Sequence, residues 1–406
     1  MPAIAVPHHR PLHIAVVTET FPPEVNGVAR TIGTMVGELR RRGHRIELVR
    51  PRQGRDDDAA RELGFEEVLG PGIPIPSYRE LRLGLPAKRA LAARWRRHRP
   101  DVVHVVTEGP LGWSAVAAAR RLAIPVATDF HTNFHTYSRH YGFGMLAGAV
   151  ARYLRALHNR AGCTMVPTAE LRDELARAGF ERLRVVGRGI DGRMFRPARR
   201  SPALRASWGC RGEEPVALYV GRIAPEKGLP LFVEAALAAR MAEPSLRVVL
   251  VGDGPAAASL RVRHPEFVFA GMRFGEDLAG HYASGDLFLF PSETETFGNV
   301  TTEALASGLA VVAFDYAAAR QYIRHGESGL LARAGDRDAF VAHAQTLAAD
   351  AALRARVRAE AAEVGAGLSW ERVVDDLEAV FHELVTHAGA GRPAVTARPG
   401  AENAPS

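Results

Sequence analysis

The sequence predicts an α/β protein made of two doubly wound, Rossmann-like domains, and three observations carry that prediction. The chain has 406 residues, more than one ordinary domain of roughly 150 residues holds. Its first half alternates short apolar runs with helical patterns, and its second half repeats the scheme. Strands alternating with helices imply parallel sheets joined by right-handed crossovers. A composition of 47% hydrophobic and 24% charged residues is that of a globular chain with a sizeable core, which excludes disordered, collagen-like and disulfide-scaffold classes.

In the first half, HIAVVTETF at 13–21 is an apolar run closed by Pro22 and Pro23 and reads as a buried strand. ARTIGTMVGELRRRG then places Ile32, Met35, Val36 and Leu39 on one helical face and stops at Gly43. Further strands are RIELVRP at 45–51, DVVHVV at 101–106, PVATDF at 125–130 and CTMVPT at 163–168, with the helical SAVAAARRLA between the second and third of these. The second half continues with PVALYVGRI at 215–223, LRVVLVGDGP at 246–255, FVFAGM at 267–272, DLFLFPS at 286–292 and AVVAFD at 310–315. Residues 1–190 are expected to form the first domain and 191–368 the second, joined through GRGIDGRMFRPARR at 187–200, whose Gly, Arg and Pro content reads as a linker. A last helix is expected over 369–387, opened by the Ser of SWERVVDDLEAVFHELV as N-cap. Residues 388–406, rich in Ala, Gly and Pro, read as a disordered tail.

Two cysteines, Cys163 and Cys210, build no disulfide framework and fit a reducing compartment. No apolar stretch reaches membrane-spanning length and the first residues lack a signal-peptide core, so a cytoplasmic protein is expected. The net charge of +7 is uneven: residues 1–200 hold 33 Lys+Arg against 19 Asp+Glu, and residues 201–406 hold 19 against 26. A basic half suggests a polyanion or an anionic membrane.

Several chemistries are excluded by what is missing. The first strand is followed by TFPPEVNGVAR rather than G-x-G-x-x-G, and the second strand ends in Arg50 rather than an acid, against dinucleotide binding. No P-loop occurs. HTNFH at 131–135 lacks the glutamate of a zinc signature, and Asp56, Asp57 and Asp58 read as a solvated charge cluster, so no metal site is expected.

The informative constellation is PSETETFGNVTTEALASG at 291–308. It sets Glu295 and Glu303 eight positions apart around Phe297, Gly298 and Asn299 at an expected helix start. Free N–H groups and the positive end of that helix suit a diphosphate, and Gly298 permits close approach. Carboxylates in this position accept hydroxyl hydrogen bonds from a sugar or ribose.

With these motifs in place, the chain resembles the retaining GT-B glycosyltransferases of glycosyltransferase family 4. Its Glu-x7-Glu pair matches that family's hallmark, GRIAPEKG at 221–228 its diphosphate loop, GDGP at 252–255 a second loop, TFPPEVNGV at 20–28 its acceptor-side glycine loop, and DFHTNF at 129–134 the segment carrying an active-site histidine. The resemblance implies two Rossmann-like domains facing across a cleft, with the last helix crossing back to the first. It implies Arg222 and Lys227 on the donor diphosphate, doing the electrostatic work a metal does elsewhere; Glu303 on the ribose; Glu295 with Phe297, Gly298 and Asn299 on the transferred sugar; His131 near the reacting carbon; and Gly27 and Gly252 completing the pocket. No cofactor beyond the nucleotide-sugar donor is implied. Lys227 is one of only two lysines, the other being Lys88.

The string most resembles bacterial GDP-mannose-dependent α-mannosyltransferases, alongside UDP-sugar enzymes acting on diacylglycerol, with GDP-mannose favoured. Base selection is expected around 267–273. Basic stretches at 85–100, with Lys88, Arg89, Arg94, Arg96, Arg97 and Arg99 around Trp95, and at 144–162, with Arg152, Arg155 and Arg160 beside Tyr153, fit docking of the first domain on an anionic leaflet and a lipid-linked or carbohydrate acceptor. Two alternatives from other classes are a non-catalytic sugar-nucleotide module and a nucleic-acid binder; the second has no recognisable motif.

Overall fold

A computed structural model describes residues 10–24, 26–54, 56–75, 78–131, 144–293 and 295–390. Its first sheet holds β1 (His13–Val17), β2 (Arg45–Pro51), β3 (Arg61–Glu62), β4 (Phe65–Gly70), β7 (Val102–Val105), β8 (Val126–Asp129), β9 (Cys163–Val166) and β10 (Leu183–Val185). They run in the order β10-β9-β8-β7-β1-β2-β4-β3, and β5 (Gly72–Ile75) with β6 (Tyr78–Gly84) makes a separate ribbon. All pairs in the large sheet are parallel except β3 on β4. A second sheet, wholly parallel, orders β11 (Val216–Val220), β12 (Arg247–Val251), β13 (Val268–Gly271), β14 (Leu287–Phe290), β15 (Ala310–Phe314) and β16 (Gly329–Ala332) as β13-β12-β11-β14-β15-β16.

The central strands of the second sheet read as unbroken apolar runs because helices cover both faces: every residue of VALYV in β11 and LFLF in β14 is buried. Each sheet reverses its order once, between β1 and β7 in the first and between β11 and β14 in the second. Ligand crevices in such sheets open beyond the carboxyl ends of the strands flanking that reversal. The loops there are 18–26 and 106–109 on one side, 221–228 and 291–298 on the other.

The last helix, Trp370–Ala390, belongs to the first sheet's core. Val374, Leu377, Val380 and Phe381 pack with Leu12, Ile14 and Met35, each fully buried side chain contributing about 1.5–3 kcal/mol. Arg42 holds Asp375 and Glu378 at 2.6 Å, and His44 holds Glu378 at 2.6 Å. Both passages of the chain between the sheets lie side by side, since Ile190 bridges Ser369 and its N–H donates to Leu368 O at 2.6 Å.

Four sequence expectations need correction. The segment read as a linker from its Gly, Arg and Pro content runs between the sheets but is packed: Arg188, Ile190 and Phe195 are buried, and its apolar side chains enter the second domain's core. Trp95 is no interfacial aromatic; it is buried and donates to Glu47 Oε1 at 2.8 Å. Arg94 pairs with Glu47 and Glu66, and Arg99 donates to Leu122 O and Ala123 O, which leaves Lys88, Arg89, Arg96 and Arg97 outward. Asp57 is not simply solvated: it pairs with the buried Arg50 at 2.7 Å. Finally, 388–390 continue the last helix, since nothing before Ala390 breaks it; 391–406 lie outside the described residues, as do 132–143 of the histidine segment.

Candidate active site

On the second domain, β11 ends in the glycine-containing loop 221–228. Gly221, Gly252 and Gly254 have φ of 149°, 134° and 157°, and a Cβ on Gly252 would lie 2.0 Å from Gly221 O. The GDGP loop thus supports the GRIAPEKG loop by a backbone approach only glycine allows. Gly252 does not line the cavity below and plays that supporting part instead.

Lys227 reaches across the loop to Glu295, Nζ to Oε1 at 2.6 Å, and the Ser292 hydroxyl donates to the same oxygen at 2.8 Å. Tyr316 anchors the backbone there by donating to Glu295 O at 2.7 Å. Arg222 lies 3.3 Å from Glu226. The helix Asn299–Ala306 starts at Gly298, φ 94°, with no side chain capping its first turn; a left-handed residue there suits glycine, and an uncapped helix start suits an anion.

The first domain faces this with the start of the helix Gly27–Arg41, capped by Asn26 accepting from Ala29 N at 2.8 Å. Gly27 lies opposite Asn299, whose Nδ2 would sit 3.8 Å from a Cβ on that glycine. Two helix N-termini therefore converge. At the end of β8, Asp129 lies between two imidazoles, 3.2 Å from His104 Nε2 and 3.2 Å from His131 Nε2. Burial alone would raise the Asp129 carboxyl, but the charge of His104 and of His131 when protonated, with the His131 hydrogen bond, outweighs it and holds the group well below the usual range. Burial and the Arg188 charge lower His131, against the pull of Asp129. Arg188 Nη2 is 3.3 Å from His131 Nδ1. A direct link joins the walls: the Thr296 hydroxyl donates to His131 O at 3.1 Å.

A cavity of about 360 Å³ results, lined by Gly27, His131, Arg188, Arg222, Lys227, Glu295 and 297–299. Of the residues expected at the site, all but Gly252 and Glu303 line it. Glu303 opens instead on an adjoining cavity of about 590 Å³ that shares Asn299, where it pairs across the cleft with Arg30. Sequence reasoning missed Arg30, Asp129, His104 and Arg188. Asp129 and His131 stood together in DFHT, a signal that was available; Arg188 was hidden in a segment read only for its composition. Among the described residues, no group of three or more His, Cys, Asp or Glu could hold a metal ion, and no helix is long and apolar enough to cross a membrane.

Family models match both halves: Glycosyltransferase Family 4 over residues 25–192 and Glycosyl transferases group 1 over 214–350. A GDP-mannose-dependent alpha-mannosyltransferase of Mycobacterium tuberculosis is 35% identical, over 93% of this chain and 99% of that protein. The enzyme of that name from Corynebacterium glutamicum is 34% identical, over 79% of this chain and 77% of its own. Sulfoquinovosyl transferase SQD2 of Arabidopsis thaliana is 31% identical, over 89% and 71%. Among solved structures, sucrose-phosphate synthase from Thermosynechococcus elongatus superposes with a TM-score of 0.73 at 19% identity, covering 93% of this chain and all of that one. The lipopolysaccharide glycosyltransferase WaaG gives 0.66 at 16%, covering 91% and 99%. Fold and relatives define a GT-B glycosyltransferase, an enzyme that moves a sugar from a nucleotide-sugar donor. More narrowly, the chain belongs to glycosyltransferase family 4.

Proposed function

We propose that the chain is a retaining, metal-independent mannosyltransferase that takes mannose from GDP-mannose and delivers it to a lipid-linked or glycolipid acceptor at the cytoplasmic face of a membrane. The observation that carries this reading is the single cavity in which Arg222, Lys227 and an uncapped helix start at Gly298 meet Glu295, Gly27 and His131. The cations and N–H groups would take the diphosphate and stabilise its charge as the bond to the sugar breaks. Glu303 would hold the ribose, and Glu295 the sugar hydroxyls.

Among the described residues lining the cavity Glu295 is the one carboxylate, and Lys227 and Ser292 already engage it. That favours a front-face substitution, in which the departing phosphate oxygen takes the acceptor's proton, over a covalent glycosyl-enzyme. The name shared by the relatives at 34–35% identity supports GDP-mannose. A UDP-sugar acting on diacylglycerol is the second reading, supported by the sulfoquinovosyl relative and by alpha-monoglucosyldiacylglycerol synthase of Streptococcus pneumoniae at 28% identity. Membrane docking is supported by outward Lys88, Arg89, Arg96, Arg97 and Arg152 on the first domain.

Purified protein incubated with radiolabelled GDP-mannose and extracted lipids should yield an α-linked mannolipid by NMR, undiminished by EDTA. Labelling from UDP-glucose but not GDP-mannose would move the assignment to the second reading, a β-linkage would remove retention, and loss of turnover to EDTA with rescue by Mg²⁺ would remove metal independence.

A further inference from the structure

Arg188 stands where β10 leads into the passage between the domains, and its side chain is the most buried cation lining the cavity, with the residue 5% exposed. Lys227 and Arg222 each have a carboxylate alongside. Arg188 forms no ion pair with a carboxylate among the described residues; its contacts are Gly187 O at 3.4 Å and His131 Nδ1 at 3.3 Å, and Asp129 acts on it only through space. A guanidinium taken out of water with two long contacts is costly to keep. Something other than fold stability accounts for its place, and it borders a cavity suited to an anion.

The contact with His131 has a second consequence. Guanidinium groups only donate, so His131 Nδ1 must accept, and Nε2 carries the proton toward Asp129 Oδ2. Both ring nitrogens are then occupied inside the wall, and the imidazole offers the cavity no free acceptor in this state. We propose that Arg188 is a third phosphate-binding cation of the donor site, and that its turn toward the bound diphosphate releases His131 Nδ1 to accept a hydrogen bond from the transferred sugar. The proposal rests on the donor-site reading above and adds to it a residue and an order of events: phosphate first, histidine second. It makes His131 available only when an anion is in place.

The test uses the full chain and two ligands, a nucleoside diphosphate and its parent nucleoside, chosen as whichever of GDP, UDP and ADP binds the wild type. By calorimetry, Arg188→Gln should bind the diphosphate about tenfold more weakly, the usual worth of a charge-assisted hydrogen bond, while nucleoside affinity stays within twofold. Diphosphate affinity within twofold of wild type in a folded variant would overturn the role. Arg188→Met, which fills similar volume without polar atoms, takes its place should the glutamine variant not fold. In wild type labelled with ¹⁵N-histidine, the diphosphate should shift the His131 Nδ1 resonance and the nucleoside should not. An unmoved resonance overturns the release step whatever the variants do. Wild type that binds none of the three diphosphates removes the donor-site reading itself, whereas binding that ignores Arg188 removes only this inference.

Discussion

On the second domain's wall of the cleft, charges sit where water reaches them: Lys227 and Glu295 are 21% and 18% exposed. On the first domain's wall the corresponding groups are sealed, with His104 and Asp129 at 2% each and Arg188 buried at the cavity's edge in front of them. Solvated pairs exchange partners at little cost, because water and ligand substitute for one another. Sealed chains are oriented before any ligand arrives and yield only to a specific competitor. One wall is therefore built to receive a variable polyanion, and the other to hold a histidine still until an anion competes for Arg188.

The largest expected effect tests the open wall. Lys227→Ala should lower kcat about 10²–10³-fold while changing stability by less than about 1 kcal/mol, as for other partly solvated pairs. A variant that lost its fold instead would show that this wall is structural and the contrast false. Asp129→Asn tests the sealed wall and should do the reverse in proportion, costing about 3 kcal/mol in urea denaturation at pH 7. Its carboxyl is held low in the folded state, so its contribution is present above the unfolded carboxylate range and disappears as pH falls through the folded value. The gap between wild type and variant should accordingly narrow in acid.

Glu19 sharpens the contrast within the first wall. It stands at the start of the loop after β1 as an acid accepting from Leu111 N at 3.2 Å, and burial, with the nearby Glu108 charge, pushes it up to about 7. A raised carboxyl stabilises the fold only while protonated. Wild type should lose up to about 3 kcal/mol as pH climbs from 4.5 to 7, and Glu19→Gln should escape that loss, matching wild type at pH 4 and exceeding it at pH 8. Equal curves would mean that Glu19 is solvated.

The two walls also differ in how far a sequence discloses them. The open wall is written in contiguous strings, because one loop and one helix start supply Glu295, Phe297, Gly298 and Asn299, and a single tight loop supplies Arg222 and Lys227. The sealed wall gathers His104 from β7, Asp129 from β8 and Arg188 beyond β10, residues that become neighbours only through strand order. No local pattern marks such a set. Strand positions themselves were legible, RIELVRP at 45–51 matching β2 residue for residue, since a short run with Ile, Leu and Val between Gly43 and Pro51 marks a strand even with Glu47 and Arg50 inside it. The ribbon β5–β6 was not, being short, partly polar and outside both large sheets. Trp95 was misread for a related reason: a tryptophan among arginines looks interfacial until its indole is found on Glu47.

The smallest expected effect concerns an ion pair that joins the two walls through a residue assigned to the donor. Arg30, half-exposed, reaches from the first domain's helix to Glu303, which is 5% exposed in its side chain. If Glu303 takes the ribose hydroxyls, Arg30 must first give way, so the pair competes with the donor. With Arg30 half in water the pair is worth about 1 kcal/mol, which limits the gain from Arg30→Ala to about fivefold in donor affinity by calorimetry. Free protein lacking the pair should also populate more open cleft geometries, seen as a larger radius of gyration in small-angle scattering that donor addition reverses. A donor affinity that falls instead would make Arg30 a ligand contact in its own right, and the easily exchanged wall would then extend onto the first domain.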